Sequence, residues 1–167
     1  MVVQRQRGPW RGFDTIHRAS FATAADAVDH LEGLRHRIEA GESILVPALQ
    51  ILLTDIRKAS GINITLDAPP TLPELSMIAA STAYRVVAEA LANVVRHSGA
   101  VTCRVRIVHT DGMLRIEVVD NGRGFEPAAA TGMGLRSMSE RATLANGTML
   151  VDSSSASGTR VALEVPA

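Results

Sequence analysis

An aspartate followed by two spaced glycines forms the stretch of this sequence best suited to hold a ligand. Residues 118–125 read Val-Val-Asp-Asn-Gly-Arg-Gly-Phe, so an apolar, β-branched run delivers Asp120 to the end of a predicted buried strand. Gly122 and Gly124 would let the backbone approach a bound molecule closely. A carboxylate in a partly apolar pocket only accepts hydrogen bonds, which suits the exocyclic amine of adenine and opposes the carbonyl oxygen of guanine. Because Asp-Asn-Gly is also strong turn chemistry, a plain β-turn is the alternative for this stretch taken alone.

A second set of polar residues recurs within the longest predicted helix. Glu89, Asn93 and His97 are four residues apart, which places them on one stripe with about 40° between successive members. The apolar side chains expected to supply the core occupy the other faces: Val87, Leu91, Val94 and Val95. An asparagine inside a helix is mildly unfavourable, so its place between apolar neighbours points to a role. A solvated polar face is the alternative.

Two glycines also precede the next predicted helix. Gly132 and Gly134 flank Met133 and lead through Leu135 into that helix. The backbone N–H groups and the positive end of the helix could together hold a triphosphate, whereas the alternative is a flexible loop that feeds the helix. Thr159 follows a glycine at the head of the last predicted strand, and its hydroxyl could reach the same site.

Hydrophobic periodicity and turn residues place these stretches on alternating helices and strands. Helices are predicted over residues 20–40, from 47 to about 60, over 71–98 and over 134–145. Strands are predicted over 62–67, 101–108, 113–119, 148–152 and 159–165, with an Asp-Gly hairpin turn within 109–112. Helices interleaved with mostly antiparallel strands predict a two-layer α/β sandwich, in which helices cover one face of a single sheet.

The composition excludes several classes of protein. Of the 167 residues 46% are hydrophobic, which is ample for one core, and 17 basic residues balance 17 acidic residues. No global field therefore points to a nucleic-acid partner, and no apolar run predicts a membrane segment. Cys103 is the only cysteine and no signal-peptide core is present, so a cytoplasmic location is expected. Lys58 is the only lysine, which excludes the usual Walker loop and the usual eukaryotic-type protein kinase site.

The ordered set of motifs resembles a known ATP-binding domain. It consists of Glu-x-x-x-Asn at 89–93, Asp-x-Gly-x-Gly at 120–124, Gly-x-Gly-Leu at 132–135 and Gly-Thr at 158–159. This set is similar to that of the domain shared by histidine kinases, gyrase-type topoisomerases and a class of ATP-dependent chaperones. Within this group, residues 89–98 and 132–142 look like the two-component sensor kinases that signal to helix-turn-helix response regulators. The resemblance covers roughly residues 47–166.

The resemblance implies a left-handed βαβ sandwich, the Bergerat ATP-binding fold, with a mixed, mostly antiparallel sheet covered on one face by helices. By position, Asn93 resembles the magnesium ligand, and Glu89 the acidic residue that orients or deprotonates the attacking group. Asp120 resembles the residue that binds the adenine amine, and Thr159 the hydroxyl that shares a water with it. The other positions implied to bind ATP surround the phosphates and the base: Arg96, His97, Gly122, Gly124, Gly132, Met133, Gly134 and Leu135.

The function implied by the resemblance is that of an ATP-dependent protein histidine kinase, with residues 46–167 as its catalytic domain. With ATP and Mg²⁺ as cofactors, this domain would transfer the γ-phosphate to a histidine on a separate phosphoacceptor helical dimerisation domain, which in turn serves a response regulator. Two other interpretations are open. One is a serine kinase of the anti-sigma type, in which Glu89 would act toward a serine hydroxyl, and the other is a non-catalytic nucleotide-binding regulator.

Two features depart from the family pattern. The lid between Phe125 and Thr131 is short and lacks the additional phenylalanine motif of many histidine kinases, so a mobile and incomplete cover is expected in the absence of a partner. None of the histidines in the N-terminal segment is followed by the acidic residue of a phosphoacceptor: His17, His30 and His36. The phosphoacceptor is therefore expected on another segment.

The N-terminal segment, residues 1–45, is expected to be a mildly basic tail followed by an amphipathic helix. The helix has a narrow apolar seam within 27–38, formed by Ala27, Leu31, Leu34 and Ile38. Such a seam suits either packing on the chain's own domain or a homodimer, and the two interpretations remain open.

Overall fold

The computed structural model describes residues 41–126 and 133–167, together with Gly33 and His36. Its helices are α1 (Leu45–Ser60), α2 (Met77–Asn93) and α3 (Met133–Leu144), and a π-helical turn, Val94–Ser98, continues α2. The strands are β1 (Asn63–Asp67), β2 (Thr102–Thr110), β3 (Met113–Asp120), β4 (Thr148–Ser153) and β5 (Thr159–Pro166). Apart from Gly33 and His36, the predicted helix at 20–40 and its 27–38 seam lie outside the described residues, as do residues 127–132 of the lid.

The five strands form one mixed sheet in the order β1-β2-β3-β5-β4. β1 runs parallel to β2, and every other neighbouring pair is antiparallel. Burial alternates along each central strand, so that Cys103, Val105 and Ile107 of β2 are buried while the residues between them are exposed. The helices pack on the buried face, and the two-layer sandwich expected from the sequence is confirmed.

The opposite face of the sheet is polar. Ion pairs join neighbouring strands there: Arg106 with Asp67 at 3.5 Å, Arg115 with Glu164 at 3.1 Å, and Arg160 with Glu117. Exposed pairs of this kind contribute only about 0 to 1 kcal/mol each, so they keep this face hydrated rather than hold the fold together. The stability of the domain therefore depends on the core beneath the helices.

The core lies between the sheet and the three helices, with α2 at its centre. The largest fully buried side chains come from both layers: Leu49, Leu53, Leu91, Ile64, Leu114, Ile116, Leu163 and Met138. α2 contacts α1 on one side, α3 on the other, and β3 and β5 below. The position of α2 is thus fixed from three directions, which matters because this helix carries several of the predicted site residues.

The start of α2 differs from the prediction. The helix was expected to begin at residue 71, but it begins at Met77, where the hydroxyl of Ser76 accepts a hydrogen bond of 3.1 Å from the backbone N–H of Ala79. Residues before Ser76 instead pair with the chain ahead of α1. The carbonyl of Leu72 accepts from the N–H of Ser43 at 3.1 Å, and Pro73 forms an isolated bridge with Glu42. A tertiary backbone contact therefore replaces the first predicted turn.

The expected core position of Val95 is also wrong, because its side chain is 40% exposed. The three other apolar residues expected on the buried faces of this helix, Val87, Leu91 and Val94, are buried. Val95 lies in the π-helical turn, whose wider winding rotates later side chains away from the 3.6-residue period. The local change of winding thus alters which residues face the core after Asn93.

Met77–Ser98 is long and apolar enough, by length and composition, to cross a membrane, contrary to the expectation that no such run exists. In the domain, 56% of its apolar window is buried against neighbouring elements. A helix at the centre of a folded core can have the same length and the same apolar composition. The packing of α2 therefore accounts for its composition.

We expect Leu91→Ala to destabilise the domain by about 2 to 5 kcal/mol, because Leu91 has 0% exposure and the substitution leaves a cavity in the centre of the core. Urea unfolding followed by circular dichroism measures the change. Leu144→Ala is the matched control, since Leu144 is 81% exposed on α3 and should change stability by no more than about 0.5 kcal/mol. Equal effects of the two substitutions would contradict this assignment of the core.

Candidate functional site

A cavity of about 420 Å³ lies between the sheet and the C-terminal half of α2. Its walls are mostly apolar and come from helices, strands and the segment after β3: Ala90, Val94, Val118, Val161, Leu135 and Phe125. Its polar groups lie along α2 with its π-helical turn and at the ends of β3 and β5: Asn93, His97, Ser98, Asp120, Arg123 and Thr159. An apolar cavity with a few converging polar groups is typical of a site for a small organic ligand.

The carboxylate of Asp120 forms the polar end of the cavity floor. Asp120 is only 6% exposed, and its Oδ1 accepts a hydrogen bond of 2.7 Å from the backbone N–H of Gly122. Burial raises the pKa of this carboxyl above its usual value, while hydrogen bonds from the N–H groups of Gly122 and Thr159 act in the opposite direction. The ionised carboxylate is therefore incompletely compensated, and a hydrogen-bond donor in the cavity would stabilise it.

The glycines near Asp120 are required by close backbone contacts. A Cβ atom on Gly122 would lie 2.5 Å from the carbonyl oxygen of Ser98, and one on Gly124 would lie 2.0 Å from that of Ser154. Gly124 also has a φ of +62°, which side-chain-bearing residues rarely adopt. Gly124 lines the cavity, whereas Gly122 does not line it and acts on Asp120 through its N–H.

The other end of the cavity is polar and lies at the start of α3. A Cβ atom on Gly134 would lie 2.6 Å from Oε1 of Glu89 and 3.6 Å from Nδ2 of Asn93, so these two side chains face the first turn of α3. Asn93 and Gly134 also line a neighbouring groove of about 1010 Å³, which Glu89 lines as well. The site therefore has two chemically different ends, with an acceptor at Asp120 and a helix N-terminus beside a carboxylate and an amide at the other.

The remaining predicted residues divide between the cavity and the groove. His97 lines both, Leu135 lines the cavity, and Arg96 and Met133 line only the groove. Met133 is 77% exposed, so its side chain is available to a further molecule rather than buried against the cavity wall. Gly132 lies outside the described residues.

Ser98 and Asn121 were not predicted as site residues, yet they join the two segments that frame the cavity. The hydroxyl of Ser98 donates to the carbonyl of Val94 at 2.7 Å, and its own carbonyl accepts from the N–H of Arg123 at 2.8 Å. Oδ1 of Asn121 accepts from the N–H groups of Val101 and Thr102 at 3.1 and 2.9 Å. The only sequence signals were the Ser-Gly that ends the helix and the Asp-Asn-Gly turn, and neither reveals that the two segments meet.

Comparison with known proteins assigns the family. Residues 79–167, more than half of the chain, match the family described as histidine kinase-, DNA gyrase B-, and HSP90-like ATPase. The chain belongs to this ATPase family. The resemblance stated from the motifs is thereby confirmed, and the domain is an ATP-binding domain of the histidine-kinase type.

The curated relatives of this ATPase domain include three sensor histidine kinases. It is 36% identical over 124 residues to MctS of Rhizobium johnstonii, covering 71% of this chain and 27% of MctS. It is 37% identical over 124 residues to LiaS of Bacillus subtilis, covering 73% of this chain and 34% of LiaS. It is 27% identical over 181 residues to YxjM of the same species, covering 99% of this chain and 43% of YxjM. The chain thus spans 27 to 43% of the length of these relatives.

Solved structures show the same fold for the ATPase domain. The histidine kinase domain of a blue-light activated histidine kinase from Erythrobacter litoralis superposes with a TM-score of 0.61 at 21% identity, over 73% of this chain and 64% of that one. Full-length ShkA in complex with AMPPNP superposes with a TM-score of 0.58 at 20% identity, over 73% of this chain and 29% of that one. At these identities the likeness concerns the fold.

We expect Asp120→Asn to stabilise the nucleotide-free domain at pH 7. The pKa of Asp120 is raised above 3.8 in the folded state, so that state binds the proton more tightly than the unfolded chain does. As pH rises from about 3.8 through the raised pKa, Asp120 therefore lowers the free energy of unfolding of the parent, and the uncharged variant avoids this loss. Urea unfolding as a function of pH should show an advantage of the variant at pH 7 that disappears below about pH 3.8.

The same substitution should weaken ATP binding by about 2 to 3 kcal/mol, because a charged acceptor is replaced by a group that also presents donors to the adenine amine. Titration calorimetry measures this change. Parent-like ATP affinity in the variant would reject the role predicted for Asp120, whatever its effect on stability.

Proposed function

We propose that this chain is the catalytic module of a sensor histidine kinase, which binds Mg-ATP and transfers the γ-phosphate to a histidine on a separate phosphoacceptor segment. The observation that carries the proposal is the two-ended site. Asp120 lies at one end with a buried acceptor suited to the adenine amine, while Glu89 and Asn93 face the first turn of α3 at the other. A nucleotide bound with its base on Asp120 would direct its phosphates toward that helix N-terminus.

The phosphate end fits a Mg²⁺ ion bound together with the nucleotide. Magnesium prefers oxygen ligands and takes few of them from protein when phosphates supply the rest. Within the described residues, no group of three or more His, Cys, Asp and Glu side chains could hold a metal by itself. Asn93 is the residue proposed to contribute an oxygen, with Glu89 nearby, and a bound ion would neutralise phosphate charge.

Glu89 is the residue proposed to act on the incoming histidine. Its carboxylate faces Gly134 and lines the groove, so a group that approaches the phosphates through the groove meets it. There it could orient the attacking imidazole and accept its proton as the new N–P bond forms and the bond from the γ-phosphorus to the β,γ-bridging oxygen breaks. A carboxylate at this place would serve a serine acceptor as well as a histidine acceptor. The choice of histidine is supported by the relatives, which are named as sensor histidine kinases.

The groove beside the phosphate end is the proposed docking place of the phosphoacceptor helices. It exposes apolar side chains, Met77 and Met133, next to Arg85 and Arg141. An amphipathic helix recognises such a groove through apolar anchors flanked by complementary charge. The response regulator would then take the phosphate from the phosphoacceptor. A cytoplasmic location and a homodimer through residues 27–38 remain parts of this proposal.

We expect the isolated chain to bind Mg-ATP without labelling itself. Transfer requires an acceptor within about 3 to 3.5 Å of the phosphorus and in line with the leaving group. His97 lies on the π-helical turn that continues α2, the helix that carries Glu89 and Asn93, so it cannot move into line independently of them. Acid-labile phosphate should therefore appear only when a phosphoacceptor helix pair from a sensor kinase is added.

The control for this labelling experiment is Asp120→Asn, which should reduce transfer to the added helix pair at ATP concentrations that do not saturate the variant. Stoichiometric labelling of His17, His30 or His36 in the isolated chain would show that the module is a complete kinase. Absence of ATP binding by the parent chain would overturn the proposed function itself.

Asn93→Asp should reduce transfer more than it reduces ATP binding. The substitution leaves the adenine end unchanged but adds a carboxylate near the phosphates and changes the oxygen donor offered to the metal. Single-turnover transfer rates and calorimetric affinities measure the two effects separately. Asn63→Asp adds the same charge at an exposed position of β1 and is the matched control. A parent-like rate for Asn93→Asp would exclude Asn93 as a metal ligand.

A further inference from the structure

A row of four side chains crosses the sheet beneath the cavity. The strand register pairs Cys103 with Asp120, Asp120 with Thr159, and Thr159 with Ser153, so the row runs from β2 through β3 and β5 to β4. Directly opposed residues of neighbouring strands point to the same face, which here is the face covered by helices. The family resemblance gives roles to Asp120 and Thr159 only, so Cys103 and Ser153 need a separate explanation.

Cys103 is a packing residue. It is 3% exposed, and burial together with the neighbouring charge of Asp120 raises the pKa of its thiol to about 12. The thiol therefore stays neutral at physiological pH and is a poor nucleophile. It closes the β2 end of the row and offers Asp120 no strong hydrogen bond.

Ser153, at the other end of the row, has three hydrogen-bond contacts. Its Oγ lies 3.0 Å from the backbone nitrogen of Phe125, 3.0 Å from the carbonyl oxygen of Gly158 and 3.0 Å from Oγ1 of Thr159. A serine hydroxyl has one proton to donate and two lone pairs to accept with, so these three contacts use its full capacity. Ser153 itself does not line the cavity.

The chemistry of these partners decides which way the protons point. The N–H of Phe125 can only donate, and the carbonyl of Gly158, a buried residue, can only accept. The proton of Ser153 therefore goes to Gly158, since a buried carbonyl without a donor is costly. The bond between the two hydroxyls must then use the proton of Thr159. Oγ1 of Thr159, a residue that lines the cavity, is then left with lone pairs only for any further partner.

We infer that Ser153 is a positioning residue that holds the Thr159 hydroxyl as a hydrogen-bond acceptor and thereby helps to select a base with an exocyclic amine. Asp120 and Thr159 then present two acceptors side by side, which suits an amine or a bridging water and opposes a carbonyl oxygen at the same place. The inference rests on the proposed function, because it places the adenine ring at this end of the cavity.

Ser153 also contacts the segment that leads into the predicted lid. Phe125 immediately precedes the predicted lid, and its N–H donates to Oγ of Ser153 at 3.0 Å. The carbonyl of Arg123, two residues earlier, accepts from the N–H of Ala156 in the turn between β4 and β5. The turn that follows Ser153 and the segment that leads into the lid are thus hydrogen-bonded to each other.

The test compares ATP with purine riboside triphosphate, which has the same ring system without the amine, by calorimetry on the full chain with Mg²⁺. Ser153→Ala should lower the affinity for ATP about tenfold, which corresponds to the loss of one hydrogen bond. The affinity for purine riboside triphosphate should stay nearly unchanged. The preference for the amine should therefore fall. Ser153→Thr keeps the hydroxyl and should retain the preference for ATP over purine riboside triphosphate. Ser155→Ala changes an exposed serine of the turn that follows Ser153; it is the matched control and should retain the parent preference.

A merely structural role for Ser153 predicts a different result. In that case Ser153→Ala would weaken both nucleotides in parallel, and this outcome, like an unchanged ATP affinity, would overturn the inference. If Ser153→Ala does not fold, Ser153→Cys keeps a similar volume with a weak hydrogen-bonding group. The ratio of its affinities for ATP and for purine riboside triphosphate then decides. Failure of the parent chain to bind either nucleotide would instead refute the proposed function.

Discussion

Burial of the Asp120 carboxylate at the floor of an apolar cavity is the constraint on which the rest of the site depends. Two backbone N–H groups hold the carboxylate, but burial outweighs them and raises its pKa. A buried charge without full compensation costs stability in the free protein and favours any ligand that supplies a donor. The domain thus keeps a locally unfavourable group at the place where it needs one specific hydrogen bond, as is common at functional sites.

The backbone around Asp120 is packed too closely for side chains. A Cβ atom on Gly158 would lie 2.1 Å from the carbonyl oxygen of Asp120, and those on Gly122 and Gly124 would meet the carbonyls of Ser98 and Ser154. The glycines of the motif therefore serve this packing as much as access to the ligand. They bring the end of β3, the end of the long helix and the turn between β4 and β5 into one contact region.

The long helix connects the two ends of the site. Its regular part, α2, carries Glu89 and Asn93 toward the start of α3, while its π-helical turn brings His97 and Ser98 to the cavity. Because α2 is packed on three sides, its residues have fixed positions relative to Asp120. The segment that leads into the lid is held by the hydroxyl of Ser153, which accepts from the N–H of Phe125, and by the N–H of Ala156, which donates to the carbonyl of Arg123.

Much of the fold was available from the sequence, because periodicity and turn chemistry report local burial directly. The strand that ends at Asp120, the stripe of Glu89 and Asn93, and the sandwich of helices on one sheet follow from patterns within short windows. The order of the motifs was equally readable, and it indicated the family that the comparisons assign.

The remaining features depend on contacts between distant segments and were decided only by the tertiary structure. α2 begins at Met77 because the residues ahead of it pair with the chain before α1. Val95 is exposed because the helix changes to π-helical winding after Asn93, and this turn ends at Ser98, whose carbonyl accepts from the N–H of Arg123. Ser153 is 28 residues from Phe125 in the chain, and only the register of β4 on β5 and of β5 on β3 brings it beside Thr159 and Asp120. A serine in a run of serines carries no periodic signal, since its role is set by which partners the sheet aligns with it.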